Sequence, residues 1–218
     1  MKTELILRQA QLFAGIDEAS RESMLRCLDA KVTRLEKGQV ALLAGERPEH
    51  VGIVLSGQLH IVKEDHGGNR VLVAAILPGD IYAEALCCAG VRESPVTVLA
   101  DTEASVMLLR FERILQTCPH TCVFHTKLIE NMIRLIAGKN LMMQSRLDII
   151  ATRSIREKVL RYLHSFAPGQ GKAVTVPLNR EEMADYLCVE RSALSHELSR
   201  MKKDRLIDYQ KNLFTLLS

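Results

Sequence analysis

No run of apolar residues in this 218-residue chain is long enough to cross a bilayer, and the opening MKTELILRQAQLF lacks the apolar core of a secretory leader. Neither a membrane-spanning nor an exported protein is expected, and the cytoplasm is the expected compartment. In that reducing setting the six cysteines read as free thiols or metal ligands, not as a disulfide framework. Also missing are a phosphate-binding glycine loop, a nucleophile motif and any His-x-His pair. Net charge is scarce as well: 29 basic against 26 acidic residues, a formal +3. That small excess is localised. Residues 147–218 hold 12 Lys and Arg against 9 Asp and Glu, whereas residues 1–146 hold 17 of each. The C-terminal third is therefore the place to look for a polyanionic partner.

What is present suffices for two modest domains with real cores, since 47% of residues are apolar. Residues 4 to about 28 read as short helices that start at Asp17 or Ser20 for the second of them. From Lys31 to Leu109 short β-type runs alternate with Gly-containing turns: VTRLEKG, VALLAGE, HVGIVLSGQLHIVKE, HGGNRVLVAAILPGD and SPVTVLADTEASVMLL. This spacing predicts an all-β sandwich or barrel, with a hairpin turn at His66-Gly67-Gly68-Asn69. Ile81 to Gly90 breaks the alternation and predicts a short helix.

From Pro119 to about Arg146 one long helical pattern runs without internal proline. Thr121, His125, Leu128, Met132, Leu135, Lys139, Met142 and Arg146 alternate at spacings of four and three, and Ile129, Ile133 and Ile136 form a neighbouring face. Two apolar faces suit packing on the chain's own domain and on a second copy, so a homodimer through this helix is expected. Asp148 is the expected N-cap of a following helix from Ile149 to Phe166, which puts a hinge at Leu147-Asp148. The loop 167–171, a short strand at Val174–Val176, a helix pair and a hairpin about Lys211-Asn212 complete the chain.

The helix pair is the most informative stretch. In LNREEMADYLCVERSALSHELSRM, Asn179 is the expected N-cap, Met183, Ala184 and Leu187 make one apolar stripe, and Cys188-Val189-Glu190 is the turn. Leu194, Leu198 and Met201 make the second stripe. Opposite them stand Arg191, Ser192, Ser195, His196, Ser199 and Arg200. Such a donor-rich, acid-free row suits a major groove, whose base edges and phosphates accept hydrogen bonds. This is a helix-turn-helix pattern, and the hairpin that follows reads as the wing of a winged form.

Taken in order, barrel, long helix, hinge and winged helix-turn-helix resemble the family of the cAMP receptor protein and the fumarate–nitrate reduction regulator, the Crp/Fnr family. Its most specific pieces here are EEMADYLCVERSALSHELSRM followed by DRLI, the barrel phrase LPGDIYAEALCCAG, and the LDII at the hinge. The resemblance covers nearly the whole chain. It implies an α+β fold: residues 1–118 as a jelly-roll-like, cyclic-nucleotide-binding-like β barrel with N-terminal helices that binds an effector, 119–147 as the dimerisation helix and hinge, and 148–218 as the winged helix-turn-helix. It further implies a dimeric transcription regulator, not an enzyme, that binds a palindromic double-stranded operator and contacts RNA polymerase, with an effector altering how the long helices pack. By that resemblance Arg191 reads a base, Ser192 and His196 stand where other members have glutamate and arginine, and Arg180 matches a phosphate contact. Cys188 stands where a turn glycine is common.

The effector site departs from the cyclic-nucleotide pattern. Glu84 is kept, but Ala83 replaces the glycine before it, and Ser94-Pro95 replaces the Arg-Ser pair whose arginine neutralises the cyclic phosphate. Ala137 and Gly138 replace the hydroxyl pair that meets adenine. An effector other than cAMP is therefore expected, in contact with Ile81, Ala83, Glu84, Leu86, Ser94, Val96 and Thr97 and with Leu128, Met132 and Leu135 of the long helix. Three chemistries stay open. A small apolar or aromatic acid fits the apolar surroundings. Haem is suggested because Ala83-Glu84-Ala85 resembles haem-dependent nitric-oxide regulators of the family, with His50, His60, His66, His120 and His125 as possible ligands. Cys118, Cys122 and His125 share one helix face at soft-metal spacing. The oxygen sensors' N-terminal cysteine cluster is missing, since no cysteine precedes Cys27. The barrel type also hosts metal-dependent dioxygenases and isomerases, but these need clustered His and Glu, and His60 stands alone on its strand.

Overall fold

Asp17 accepts a hydrogen bond from the backbone N–H of Ser20 at 3.0 Å, a side-chain cap that starts α2 (Glu18–Cys27) after α1 (Lys2–Gln9) and a 3-10 turn at Gln11–Phe13. The computed structural model describes residues 2–64, 70–116, 123–166, 171 and 173–217. These form two units, residues 1–138 and 139–218.

The first unit is built on β1 (Lys31–Leu35), β2 (Val40–Leu42), β3 (His50–Ser56), β4 (Leu59–Glu64), β5 (Arg70–Ile76), β6 (Ile81–Tyr82), β7 (Thr97–Ala100) and β8 (Ala104–Arg110), with α3 (Glu84–Cys88) between β6 and β7 and α4 (Phe111–Leu115) after β8. The strands pair antiparallel in two four-stranded sheets, β1-β8-β3-β6 and β2-β7-β4-β5. Leu35, Val54, Tyr82 and Val106 of one sheet meet Leu42, Leu59, Ile76 and Val98 of the other, forming a sandwich core. The jelly-roll-like expectation is met by this sandwich, although the sheets do not close into a barrel. Strand β3 reads as an unbroken apolar run because it is buried on both faces. Val54 points into the sandwich, while Val51, Ile53 and Leu55 join Met107 and Leu109 in a second core beneath Leu7, Leu12, Phe13 and Met24. The β4–β5 hairpin pairs Glu64 with Arg70, and its expected turn at His66–Asn69 lies outside the described residues.

A 28-residue helix, α5 (Val123–Ile150), follows. Its expected start at Pro119 and Thr121 also lies outside the described residues. Leu128 and Met132 are buried in the helix-side core, and buried Asn131 donates to the carbonyls of Leu12 (3.0 Å) and Ala14 (2.8 Å). One expectation is corrected here. Leu147 and Asp148 lie inside continuous α5, so Asp148 caps nothing; the break falls at residues 151–154. The cap is Ser154, which accepts from the Glu157 N–H at 3.1 Å and opens α6 (Ile155–His164). A serine three residues before a glutamate is the stronger start signal, since both its hydroxyl and the first-turn acid serve the helix N-terminus.

The second unit adds β9 (Ala173–Thr175), α7 (Arg180–Leu187), α8 (Arg191–Lys203), β10 (Ile207–Gln210) and β11 (Leu213–Leu216). Its sheet has the order β10-β11-β9. Its core gathers Ile149, Val159, Tyr162, Leu163, Met183, Leu187, Leu194, Leu198, Met201 and Phe214.

Candidate functional site

Helix α7 starts as its sequence dictates. Asn179 accepts from the N–H groups of Glu181 (2.9 Å) and Glu182 (3.0 Å), and Glu182 accepts in return from the Asn179 N–H at 2.7 Å, closing a capping box. Met183, Ala184 and Leu187 are buried. At the far end Cys188 takes φ 51° and ψ 56°, a left-handed turn that is strained for any residue with a Cβ. Buried Lys158 of α6 donates to the Leu187 carbonyl at 3.1 Å and satisfies a group that the helix leaves open.

Helix α8 then runs with Leu194, Leu198 and Met201 fully buried beneath it. Arg191, Ser192, Ser195, His196, Ser199 and Arg200 are all exposed on the opposite face. Glu197 lies to the side, where the Arg156 Nε of α6 reaches it at 2.7 Å and the same guanidinium reaches Asp204 at 2.7 Å. Those hydrogen bonds hold Arg156 more firmly protonated, while the second oxygen of Glu197, the helix's one acid, lies 3.7 Å from Arg200 Nη1 at the end of the donor row. Sequence reasoning missed this clamp because Arg156 and Glu197 are far apart in the chain. It anchors α8 by one edge and leaves a convex, donor-bearing face with three successive turns open to solvent. Its donors suit the acceptors that base edges and phosphates present in a DNA major groove.

Arg180 is placed differently from a freely reaching phosphate donor. Its guanidinium lies 5.1 Å from the Tyr209 ring and 5.2 Å from the Phe214 ring, and its Nη2 donates to the Lys211 carbonyl at 3.1 Å. The wing itself is as expected, with Lys211 at its tip at φ 54°.

The effector candidates divide between the two cores of the first unit. Ile81, Leu128 and Met132 belong to the helix-side core, with Leu135 packed at its edge. Ala83 belongs to the sandwich core, with Leu86 at its edge. Ala83 occupies the left-handed region at φ 62°, where the cyclic-nucleotide pattern has glycine, and begins the turn into α3. Glu84 is 4% exposed on that helix. Ser94 is turned on itself: its hydroxyl donates to the Val96 carbonyl at 2.7 Å, and the Thr97 hydroxyl accepts from the Ala44 N–H at 3.1 Å. Cys87 donates to the Pro48 and His50 carbonyls, and burial pushes its thiol up to about 12, so it stays protonated and packs as a small hydrophobe. A cleft of about 220 Å³ lies elsewhere, lined by Arg47, Pro48, Cys87, Arg110, Phe111 and Leu115 among others and by none of the expected effector contacts.

Of the metal candidates, Cys118 and Cys122 lie outside the described residues, as do His66 and His120. His125 is 3% exposed, and neither ring nitrogen has a hydrogen-bond partner among the described residues. His60 is held by Gln58 at 3.1 Å and lies 3.7 Å from Asp101. Among the described residues no group of three His, Cys, Asp or Glu side chains is placed to hold a metal ion, and no helix is long and apolar enough to cross a membrane.

Along α5 runs a stripe at spacings of four and three, Ile129, Ile133, Ile136, Asn140, Met143 and Leu147, of which Ile129 and Ile136 are partly buried against the helix-side core. Ile133, Met143 and Leu147 are 60%, 66% and 56% exposed.

Residues 32–120 match the model of the cyclic nucleotide-binding domain, and residues 157–218 match that of the Crp-like helix-turn-helix domain. The transcriptional activator protein FnrL of Cereibacter sphaeroides is 26% identical over 188 residues, 79% of this chain and 70% of that protein. Among solved structures, the c-di-GMP-responsive global regulator CLP of Xanthomonas campestris covers 93% of this chain and all of its own, at 15% identity and a TM-score of 0.61. The catabolite activator protein of Thermus thermophilus covers 94% of this chain and 93% of its own, at 18% identity and a TM-score of 0.55. These two structures show the fold.

Proposed function

The chain belongs to the Crp/Fnr family of transcription regulators, and from that premise we propose that it is a dimeric, effector-gated regulator whose α8 reads a palindromic operator in double-stranded DNA. The observation that carries this reading is the exposed row Arg191, Ser192, Ser195, His196, Ser199 and Arg200 above a fully buried Leu194-Leu198-Met201 anchor. Arg191, at the first position of α8, is the base reader, bidentate to guanine; the serines, His196 and Arg200 divide between base edges and phosphates. Ser192 and His196 in place of glutamate and arginine give a half-site preference of the protein's own. The α5 stripe through Ile133, Met143 and Leu147 is the dimer seam, and two-fold symmetry in the protein demands a palindrome in the DNA. Contact with RNA polymerase and residence in the cytoplasm go with this role, and no catalytic role is assigned to any residue.

The effector is a small apolar or aromatic acid rather than cAMP. Self-bonded Ser94 beside Pro95, where a phosphate-neutralising arginine would stand, supports this. A second reading, a haem- or metal-dependent gas or redox sensor, rests on His125, buried with both ring nitrogens unpartnered among the described residues.

Selection of bound duplexes from a randomised library tests the DNA reading: enrichment of a palindrome is expected, and no enrichment overturns it. Arg191→Ala should weaken binding to the selected duplex by about 1–3 kcal/mol and relax the preference at one base pair of each half-site. Unchanged affinity would remove Arg191 from the interface. Native mass spectrometry of the purified protein tests the rest. A dimer with no added mass supports the exchangeable effector, a retained haem or metal supports the second reading, and a monomer removes the seam.

A further inference from the structure

Arg180 is the first residue of α7, and its guanidinium is directed into the protein. Nη2 donates to the carbonyl of Lys211, and Nη1 faces the Met183 sulfur at 3.8 Å. The cation sits over two aromatic rings, Tyr209 of β10 and Phe214 of β11, which stack on each other at 5.6 Å and 28°. From the end of α8, Lys202 reaches the same hairpin: its Nζ lies 2.6 Å from Asp208, 3.4 Å from the Tyr209 carbonyl and 5.3 Å over the Tyr209 ring. Each helix of the pair thus holds the wing through one cation, and both cations meet at Tyr209. Cation–aromatic contacts of this kind gain strength as the cation is desolvated. Arg180 is half-buried, and that burial lowers its pKa, although an arginine stays charged at neutral pH.

The residue whose carbonyl Arg180 grips is the one at the tip of the wing. Lys211 has φ 54°, is exposed, and its ammonium has no partner among the described residues. A left-handed lysine at a hairpin tip directs its side chain away from the sheet only while that turn is held. The Nη2 hydrogen bond holds the Lys211 carbonyl from the helix side, while the Val176 N–H donates to the neighbouring Asn212 carbonyl at 2.9 Å.

We propose that Arg180 is a wing-positioning residue: it fixes the β10–β11 hairpin on the helix pair so that Lys211, and not Arg180, meets a backbone phosphate beside the reading helix. The inference rests on the DNA-binding reading above and assigns the contact within it. An arginine serves here and a lysine does not, because only the planar fork donates to a carbonyl while stacking on two rings.

The test is the salt dependence of binding to the selected duplex, followed by fluorescence anisotropy. Each phosphate contact contributes about 0.9 to the slope of log affinity against log salt. Lys211→Gln is expected to lower the slope by about one per protomer. Arg180→Lys keeps the charge but loses the fork, and should lower it by the same amount. The double variant should fall no further. If Arg180 contacts a phosphate itself, Arg180→Lys keeps the wild-type slope, and the proposal is overturned. A Lys211→Gln variant with the wild-type slope overturns it too. Should Arg180→Lys fail to fold, Tyr209→Leu removes the shared ring while leaving every charge in place. The same loss of about one is then expected, and an unchanged slope refutes the inference. Absence of salt-dependent DNA binding by the wild-type protein would instead refute the DNA-binding reading.

Discussion

Met142 and Met143 are neighbours in sequence and both exposed, at 73% and 66%, yet they should behave oppositely when charged. They lie about 100° apart around α5. Met142 belongs to the stripe of His125, Leu128 and Met132, whose first half is already buried in the sandwich unit's own helix-side core. Met143 belongs to the Ile129–Leu147 stripe, of which Ile129 and Ile136 only edge that core while Ile133, Met143 and Leu147 are exposed. If that stripe is the dimer seam, each Met143 buries its side chain against the partner helix for about 2 kcal/mol. Met143→Glu removes this from both copies and places two carboxylates in the seam. The loss is at least about 4 kcal/mol per dimer, roughly a thousandfold in Kd. Asn140 in the same stripe is a polar seam residue, which fixes register at some cost in stability and so makes the dimer easier to break. Light scattering across a dilution series reads the outcome. Met143→Glu should be monomeric at concentrations where wild type and Met142→Glu are dimers. A monomeric Met142→Glu beside a dimeric Met143→Glu would refute the assignment and move the seam to the Met142 stripe.

Ser154→Ala should cost the second unit about 1 kcal/mol, while Asp148→Ala should change its thermal midpoint little; the reverse order would return the helix start to Asp148. Gly52→Ala should destabilise the sandwich by about 1–3 kcal/mol, because its Cβ would overlap the Tyr82 ring well inside van der Waals contact, whereas Tyr82→Phe should cost little because the phenol is buried without a partner among the described residues. Thermal midpoints of both variants check this, and a tolerated Gly52→Ala would mean that the ring has another resting place. The Asp208 carboxyl is held below its ordinary 3.8 by the Lys202 hydrogen bond and then by the Tyr209 N–H, so its stabilisation is present above that value and lost as pH falls through the depressed one. The difference in melting temperature between wild type and Asp208→Asn should therefore vanish in acid below the ordinary carboxyl range, and a difference that persists there would detach it from this ion pair.

Much of this fold was legible because its signals are local. Asn179 with Glu182, and Asp17 with Ser20, each hold their own helix start within three residues. The stripes Met183-Ala184-Leu187 and Leu194-Leu198-Met201 repeat at helical spacing and are buried as read. Errors arose where two local signals competed. Asp148 before an apolar pair resembles a cap, but Thr152 and Ser154 beyond it supply a better end and start, and the long helix simply continues to Ile150. The short α4 at Phe111–Leu115 carries no cap or stripe and was not foreseen. The choice between two adjacent stripes on α5 was not available from periodicity either, since both repeat at four and three. The proposed seam rests on burial instead: Leu128 and Met132 are buried in the helix-side core, whereas Ile133, Met143 and Leu147 are exposed.

The two candidate sites differ in legibility for a physical reason. A groove-reading helix must bury one face and show the other, so its sequence is a projection of its function: every third or fourth residue is apolar and the remainder face the DNA. An effector pocket has no such projection. Its walls come from strands and helices distant in sequence, and an apolar wall residue looks the same as a core residue. Ile81, Leu128 and Met132 show the consequence, being packed on the opposite side of the β3 sheet from Ala83. What the sequence did carry at that site was substitution against a pattern. Ala83 adopts the left-handed turn that the pattern's glycine makes easily, although the glycine itself is replaced. On the reading proposed above, a turn kept where the phosphate-neutralising arginine is replaced argues for a different occupant rather than none.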